Sequence, residues 1–335
     1  MPTETPTDRS TGTMTVVAFE RYGPPDVLRV VRRPVPVPGP SDLVVAVRSV
    51  AVARAEMAFR SADPAFARLA SGLLRPRHQV LGGTLAGVVT AAGPDAGAWR
   101  VGARVVAQVG MTMGGTAEQV RVPAANVVAL PDGLTDDAAV AVVEGGLTAL
   151  PFVRDHARAR PGLRVLVNGA GGAVGASAVQ LAVHLGATVT GVCGPSHVDL
   201  VADLGAAEVV DRLRTPLERL TGTYDVVLDA VGTSSPRATR HLLAPGGAYL
   251  TTVPSLGTVV RTATRRLERG RTAAVAFTGL RPVAQQVADM TVLLGMLRAG
   301  DLRPVVDRTY PLVEAAAAHA YVEAGRKAGA VLLHP

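Results

Sequence analysis

Seven residues constrain this chain more than any others: Gly169-Ala170-Gly171-Gly172-Ala173-Val174-Gly175. They follow an apolar, β-branched run, Leu163 to Asn168, and precede a helix-forming stretch, Ala173 to Leu185. A glycine cluster after a strand and at the opening of a helix lets the backbone turn sharply and lets a diphosphate approach it. The helix start then offers amide donors and the positive end of its dipole. In this reading Gly171 permits the tight turn, Gly172 the close approach of the pyrophosphate, and Gly175 the close contact of helix and sheet. Ala173 and Val174 supply amides at the helix start. The alternative, an ordinary glycine-rich turn, lacks the strand–helix–strand context that the next segments provide.

That context runs from about residue 130 onward. Strands are predicted at Thr188 to Cys193, Glu208 to Val210, Tyr224 to Asp229, Ala248 to Val253 and Thr272 to Phe277, with helices between them. Such alternation implies a doubly wound parallel sheet of Rossmann type. Before it the rhythm differs. Val16 to Phe19, Leu28 to Val31, Leu43 to Val50, Leu85 to Ala91, Arg104 to Val109 and Ala117 to Val122 read as short strands separated by glycine- and proline-rich turns. They predict a mainly antiparallel, barrel-like β domain. After a helix at Pro282 to Arg298, strands at Val305 to Thr309 and Gly329 to Leu333 return the chain to that first domain, with a helix at Pro311 to Val322 between them. The predicted division is a disordered tail over 1–14, a β domain from 15–129 and 305–335, and a nucleotide-binding domain over 130–304.

The second strand of a dinucleotide fold carries the ribose preference. An acid about twenty residues past the glycines selects an unphosphorylated ribose. Here the strand ends Val192-Cys193-Gly194-Pro195-Ser196-His197, with no acid at its tip. Ser196 and His197 are candidate donors to a 2′-phosphate, so NADP is favoured over NAD. For His197 an exposed place on the following helix is the competing reading. Cys193, at the strand end, is read as packing or lying near the cofactor. Ala230, Val231, Thr252 and Val253 lie at later strand ends that face the cofactor crevice in this architecture.

Charge and cysteine content narrow the classes. The 335 residues carry a formal charge of +7. The basic residues are scattered arginines with the single lysine Lys327, and the densest stretch, Arg261 to Arg271, contains no aromatic. Nucleic-acid recognition calls for a concentrated basic stripe with a reading or stacking element, so no nucleic-acid partner is expected. The one cysteine excludes an internal disulfide framework and a four-cysteine zinc site. No signal-peptide core or membrane-length apolar run is present, and a soluble, cytoplasmic protein is expected.

With these motifs in order, the chain resembles the medium-chain dehydrogenase/reductase superfamily, specifically its zinc-free quinone oxidoreductase-like branch. The resemblance is carried by Gly23-Pro24-Pro25-Asp26-Val27-Leu28, Leu81-Gly82-Gly83-Thr84 through Val89, Gly102-Ala103-Arg104-Val105 and Gly146-Leu147-Thr148-Ala149. Leu204 to Asp211, Leu228 to Gly232 and Gly300 to Asp307 add further anchors after the glycine fingerprint. It implies a GroES-like catalytic domain formed by both chain ends and a Rossmann domain between them. It also implies hydride transfer from NADPH in an interdomain cleft, a homodimer, no requirement for zinc, and Thr148 near the nicotinamide. Relatives reduce quinones or activated alkenes, and the substrate implied here is an apolar molecule with a conjugated carbonyl. The superfamily's catalytic zinc needs Cys and His from separated segments, whereas residues 50 to 57 contain neither and Gly82-Gly83-Thr84 lacks a His-Glu pair. The chain has Ala53 where the family's common Asn falls, Thr84 where an Asp often stands, and Ala330 in place of a frequent Lys.

Three residues are candidates for the chemistry. Glu56 sits in the substrate-loop segment as a possible acid. Arg60 is placed to stabilise an enolate or bind an acidic substrate, or else faces water. Glu144 interrupts the apolar run Ala138 to Gly146. A carboxyl in such a run favours its protonated form and suits an acid; the competing reading is a helix-end cap or ion pair. The leading expectation is reduction of an enone or enoyl-type alkene, with Glu144 or water protonating the α-carbon. The alternatives are an NADPH:quinone reductase and a non-redox NADP-binding protein with a modified cleft.

Overall fold

The computed structural model describes residues 12–63, 68–253, 272–275 and 280–335. The chain begins with strands β1 (Thr13–Ala18), β2 (Arg29–Pro34) and β3 (Asp42–Ala51), then helices α1 (Arg54–Ser61) and α2 (Arg68–Ser71). Next come β4 (Thr84–Ala92), β5 (Arg104–Gln108), β6 (Gln119–Pro123) and β7 (Val127–Ala129). Helix α3 (Asp136–Pro151) leads to β8 (Arg164–Asn168), α4 (Ala173–His184), β9 (Thr188–Cys193), α5 (Val198–Asp203), β10 (Glu208–Asp211) and β11 (Tyr224–Asp229). β12 (Leu243–Thr251), β13 (Thr272–Val275), α6 (Val283–Ala299), β14 (Val306–Pro311), α7 (Ala315–Glu323) and β15 (Ala330–His334) complete the chain.

Two compact units result. One comprises the chain up to Val140 together with Arg308–Arg326 and Val331–Pro335; the other comprises Ala141–Asp307 and Lys327–Ala330. The first holds the antiparallel β1–β2 pair and a seven-stranded sheet in the order β14-β15-β3-β4-β5-β7, with β6 also on β3. Its core is aliphatic: Leu43, Val45, Leu85, Val105, Val122 and Leu333 are all buried. The second unit is a six-stranded sheet in the order β10-β9-β8-β11-β12-β13, with parallel pairing throughout. Its central strands β8 and β11 are buried along nearly their whole length, as expected for a parallel sheet covered on both faces; in β11 only Asp225 is partly exposed.

That strand order places a topological switch point between β8 and β11. From β8 the chain winds outward in one direction through β9 to β10, and then in the other through β11 to β13. The crevice outside the carboxyl ends of the two central strands is where such sheets bind dinucleotides. The glycine turn follows β8 and the Ala230-Val231-Gly232 segment follows β11, so both lie at this point.

Several boundaries differ from expectation. β1 starts at Thr13, inside the segment read as a tail, because Thr13 to Ala18 pairs along its full length with β2. β7 is a three-residue strand with no sequence signal of its own. β12 starts at Leu243, five residues before the apolar run that suggested it. The predicted strand ending at Phe277 is seen over Thr272–Val275, and the basic stretch Arg261 to Arg271 lies outside the described residues.

Candidate active site

The glycine turn is built differently from the motif reading. Gly169 carries the left-handed backbone, with φ of +83°, whereas Gly171 needs no positive φ. Gly169 and Ala170 both donate N–H hydrogen bonds to Val192 O, at 2.9 and 3.0 Å, which pins the turn to β9. A side chain on Gly171 would place Cβ 2.6 Å from Nδ1 of His197. Gly171 is therefore glycine because an imidazole packs over it. The reading of Gly175 holds, since a Cβ there would lie 2.7 Å from the carbonyl carbon of Gly169. At Gly172, the N-cap of α4, the nearest atom to a Cβ is 3.6 Å away, so this side of the turn is open.

No side chain caps the amino end of α4. A helix of twelve residues thus presents uncapped amides and a positive dipole end at the switch point, next to an open glycine. This arrangement fits a diphosphate. Gly329 borders the turn, donating its N–H to Gly171 O at 2.8 Å.

At the tip of β9, Cys193 is buried and its thiol is pushed up to about 11, first by burial and then by Asp211. It stays a neutral thiol at ordinary pH and packs rather than reacts. Ser196 is exposed, and His197 is half-buried against the glycine turn. Sequence reasoning missed Arg212. It follows β10, whose last residue Asp211 is in register with Cys193. Its N–H donates to Cys193 O at 2.9 Å. Its exposed side chain brings Nε to 3.9 Å from where a Gly194 Cβ would stand. Asp211 is an acid in register with the end of β9, but its Oδ1 accepts from Leu213 N–H at 2.9 Å and its Oδ2 lies 3.7 Å from Nε of Arg214. The signal for Arg212 was available only through the parallel register that sets β10 beside β9.

Asp229 organises the opposite side of the switch point. It has no solvent exposure and accepts five hydrogen bonds. Oδ1 receives Asn168 Nδ2 (3.0 Å), Val231 N–H (3.2 Å) and Gly232 N–H (3.0 Å). Oδ2 receives Ser234 N–H (2.9 Å) and the Tyr249 hydroxyl (3.0 Å). Burial, then Asp229, pushes the Tyr249 phenol far above its ordinary range, which suits it to hold Asp229 and not to give up a proton. Ala230 N–H donates to Asn168 O and Thr252 N–H to Asp229 O, at 3.0 and 3.2 Å. A Cβ on Gly169 would meet Val231 Cγ1 at 2.6 Å, and one on Gly232 would meet Val253 Cβ at 2.6 Å. Val231 and Val253 thus cover successive glycines of the crevice.

Glu144 and Thr148 are one turn apart on α3, on one face, and both are half-buried. Glu144 Oε2 is shielded from solvent and has no hydrogen-bond partner among the described residues. Glu56 and Arg60, in the other unit, lie in a buried cluster. Glu56 accepts from Gly83 N–H at 3.2 Å, and its Oε2 is 3.9 Å from Nε2 of His319. Burial, then the nearby Arg60 charge, holds the His319 imidazole down at about 3, so it is neutral at ordinary pH and forms no ion pair with Glu56. Arg60 is wholly enclosed, donating to Gly23 O at 2.6 Å and to Glu323 Oε1 at 3.0 Å. Its charge faces the interior of its unit and not water. Among the described residues no group of three or more His, Cys, Asp or Glu is placed to hold a metal ion, and no helix is long and apolar enough to cross a membrane.

Residues 39–132 match the family described as alcohol dehydrogenase GroES-like domain, and residues 204–333 match that described as zinc-binding dehydrogenase. A quinone oxidoreductase of Pseudomonas aeruginosa is 30% identical over 95% of this chain and 99% of its own length. The chain belongs to the quinone oxidoreductase-like branch of the medium-chain dehydrogenases and reductases. This is a family of NAD(P)-dependent oxidoreductases. The spectinabilin polyketide synthase system protein NorB of Streptomyces orinoci is 32% identical over 85% of the chain, which spans only 13% of that protein's length. Among solved structures, the quinone oxidoreductase of Pseudomonas syringae pv. Tomato DC3000 aligns with a TM-score of 0.83 and 26% identity, covering 96% of this chain and all (100%) of that one. The Coxiella burnetii quinone oxidoreductase shares the fold, with a TM-score of 0.86 at 23% identity over 97% of this chain and 100% of that one.

Proposed function

We propose that this chain uses NADPH to reduce the activated carbon–carbon double bond of an enone or enoyl-type substrate, with Glu144 delivering the proton to the α-carbon. The supporting observation is the Oε2 of Glu144, shielded from water and without a hydrogen-bond partner among the described residues, one turn from Thr148 on α3. Reduction of an alkene must place a proton on carbon, and a carboxyl of this kind can carry one. Reduction of a quinone places protons on oxygen, where water suffices. The dinucleotide is held by the uncapped amino end of α4 with Gly172, by Val231 and Val253 at the later strand ends, and by Thr148. The reduced nicotinamide, when bound, supplies the hydride. Ser196 and Arg212, both exposed beside the β9 tip, are the donors for a 2′-phosphate, and His197 packs on the glycine turn. The committed partners of Asp211 leave it poorly placed to hold a free ribose hydroxyl, which supports NADPH over NADH.

Several relatives are polyketide synthase proteins, which is in keeping with an acyl substrate. The second reading, an NADPH:quinone reductase, is favoured by the quinone oxidoreductase similar along nearly its whole length. Steady-state NADPH oxidation with enone and quinone panels separates the two. The first reading expects enone turnover that falls about 100-fold in Glu144→Gln, with unchanged NADPH affinity. Turnover of quinones alone, equal in wild type and variant, selects the second.

A further inference from the structure

The β1–β2 pair borders a cavity that shares no lining residue with the glycine turn or the β11 and β12 strand ends. This open cavity has a volume of about 800 Å³, and five arginines line it: Arg21, Arg29, Arg32, Arg33 and Arg75. Glu20 is the one carboxylate that lines it. Arg29 donates to the Leu28 carbonyl, Arg32 to the Thr13 and Thr15 hydroxyls, and Arg33 to the Gln79 side chain, all neutral acceptors. None of the five forms an ion pair with a described residue, and Glu118, whose charge is felt by Arg32, is already engaged by the Thr15 N–H at 2.7 Å. Arg21 and Arg75 are exposed, and no described residue engages either guanidinium. The same cavity has an apolar side: Phe19 and Val27 are buried beneath it, Val31 is half-buried, and Leu74 projects with 93% of its surface exposed.

Several arginines that line one concavity without an ion-pair partner among the described residues repel each other unless an anion joins them. Their planar forks match phosphate oxygens in pairs. The volume is that of a small-molecule site, and an apolar side with a charged rim selects a ligand with both characters. We propose that this cavity is a second binding site, separate from the dinucleotide site, for a phosphate monoester carrying an apolar chain. The phosphate sits between Arg21 and Arg75, with Arg29, Arg32 and Arg33 adding field, and the chain lies along Val31 and Leu74, above the buried Phe19 and Val27. The source is either a soluble ester or a lipid headgroup of the same chemistry.

The test uses the full chain saturated with NADPH, so that the dinucleotide site is filled. Octyl phosphate and inorganic phosphate are titrated by calorimetry. Octyl phosphate is expected to bind at least about ten-fold more tightly than inorganic phosphate, and to weaken with added salt. The double variant Arg21→Ala/Arg75→Ala, both surface positions, should weaken octyl phosphate at least about ten-fold without altering NADPH affinity. Glu20→Gln should strengthen it. Co-sedimentation with phosphatidylcholine vesicles containing phosphatidic acid then assigns the source: sedimentation lost in the double variant indicates a lipid, and its absence with octyl phosphate still bound indicates a soluble ester. No octyl phosphate binding, binding equal in wild type and double variant, or no preference over inorganic phosphate overturns the proposal.

Discussion

Replacing Asp229 by alanine probes the frame that holds the switch point together. The substitution removes an acceptor for five hydrogen bonds. Two of the stranded donors, Asn168 Nδ2 and the Tyr249 hydroxyl, belong to buried residues. Each buried donor left without a partner costs about 1–3 kcal/mol, or about 2–6 kcal/mol for the pair. The three backbone donors lie in a loop containing the exposed Gly232, where water can replace the carboxylate at smaller cost. Relief from burying the carboxylate offsets part of the total, giving an expected loss of about 2–5 kcal/mol. Tyr249→Phe, which removes the hydroxyl's hydrogen bond to Asp229 while leaving the carboxylate its other donors, should cost only about 1 kcal/mol. Because the alanine variant already strands the phenol, the double variant should lose less than the sum of the two, by about 1–2 kcal/mol. Urea unfolding followed by circular dichroism, with midpoints compared at equal slopes, measures all three. NADPH binding should weaken in Asp229→Ala, because the Val231–Gly232 loop loses its anchor. A stability within about 1 kcal/mol of wild type, or strict additivity, would refute the assignment of Asp229 as the organising acceptor.

Other perturbations test separate parts of the account. Gly175→Val forces a side chain against the Gly169 carbonyl; it should weaken NADPH at least about ten-fold in a fluorescence titration, by displacing the turn from the helix start. Arg212→Ala should weaken NADPH about ten-fold while leaving NADH unchanged, since only the former carries a ribose 2′-phosphate for a charge-assisted hydrogen bond. His319 is neutral in the folded protein, with its pKa held at about 3 against an ordinary 6.5. The unfolded chain therefore takes up the proton first. Stability should fall as pH drops below 6.5 and continue to fall toward 3, with a slope from this group approaching about 1.4 kcal/mol per pH unit. His319→Phe should flatten that part of the profile in thermal unfolding measured between neutral and acidic pH; an unchanged slope would contradict it.

How much of this was legible in the sequence depends on whether the signal was local. The bounds of β9 and β11 agree with the apolar runs that suggested them, because buried parallel strands show themselves as continuous β-branched stretches. β14, α7 and β15 each lie within a few residues of the runs that suggested them. β7 was not legible, since three residues are too short to show an alternation. The roles of the glycines required backbone geometry: only φ separates Gly169, which turns the chain, from Gly171, which yields to an imidazole. The enclosure of Arg60 depends on Glu323, 263 residues away. Arg212 becomes a cofactor candidate only when β10 is set beside β9. Glu144 was conspicuous as a charge within an apolar run, but the isolation of its Oε2 is a property of the packed helix.

The central claim is that the chain reduces an activated alkene with NADPH. Anaerobic single-turnover mixing of enzyme, NADPH deuterated at C4 and an enone panel tests it most directly. The reduced-nicotinamide absorbance should be lost, with cofactor deuterium recovered at the β-carbon and the solvent proton at the α-carbon. Tight binding of NADPH with no oxidation by any enone would contradict it.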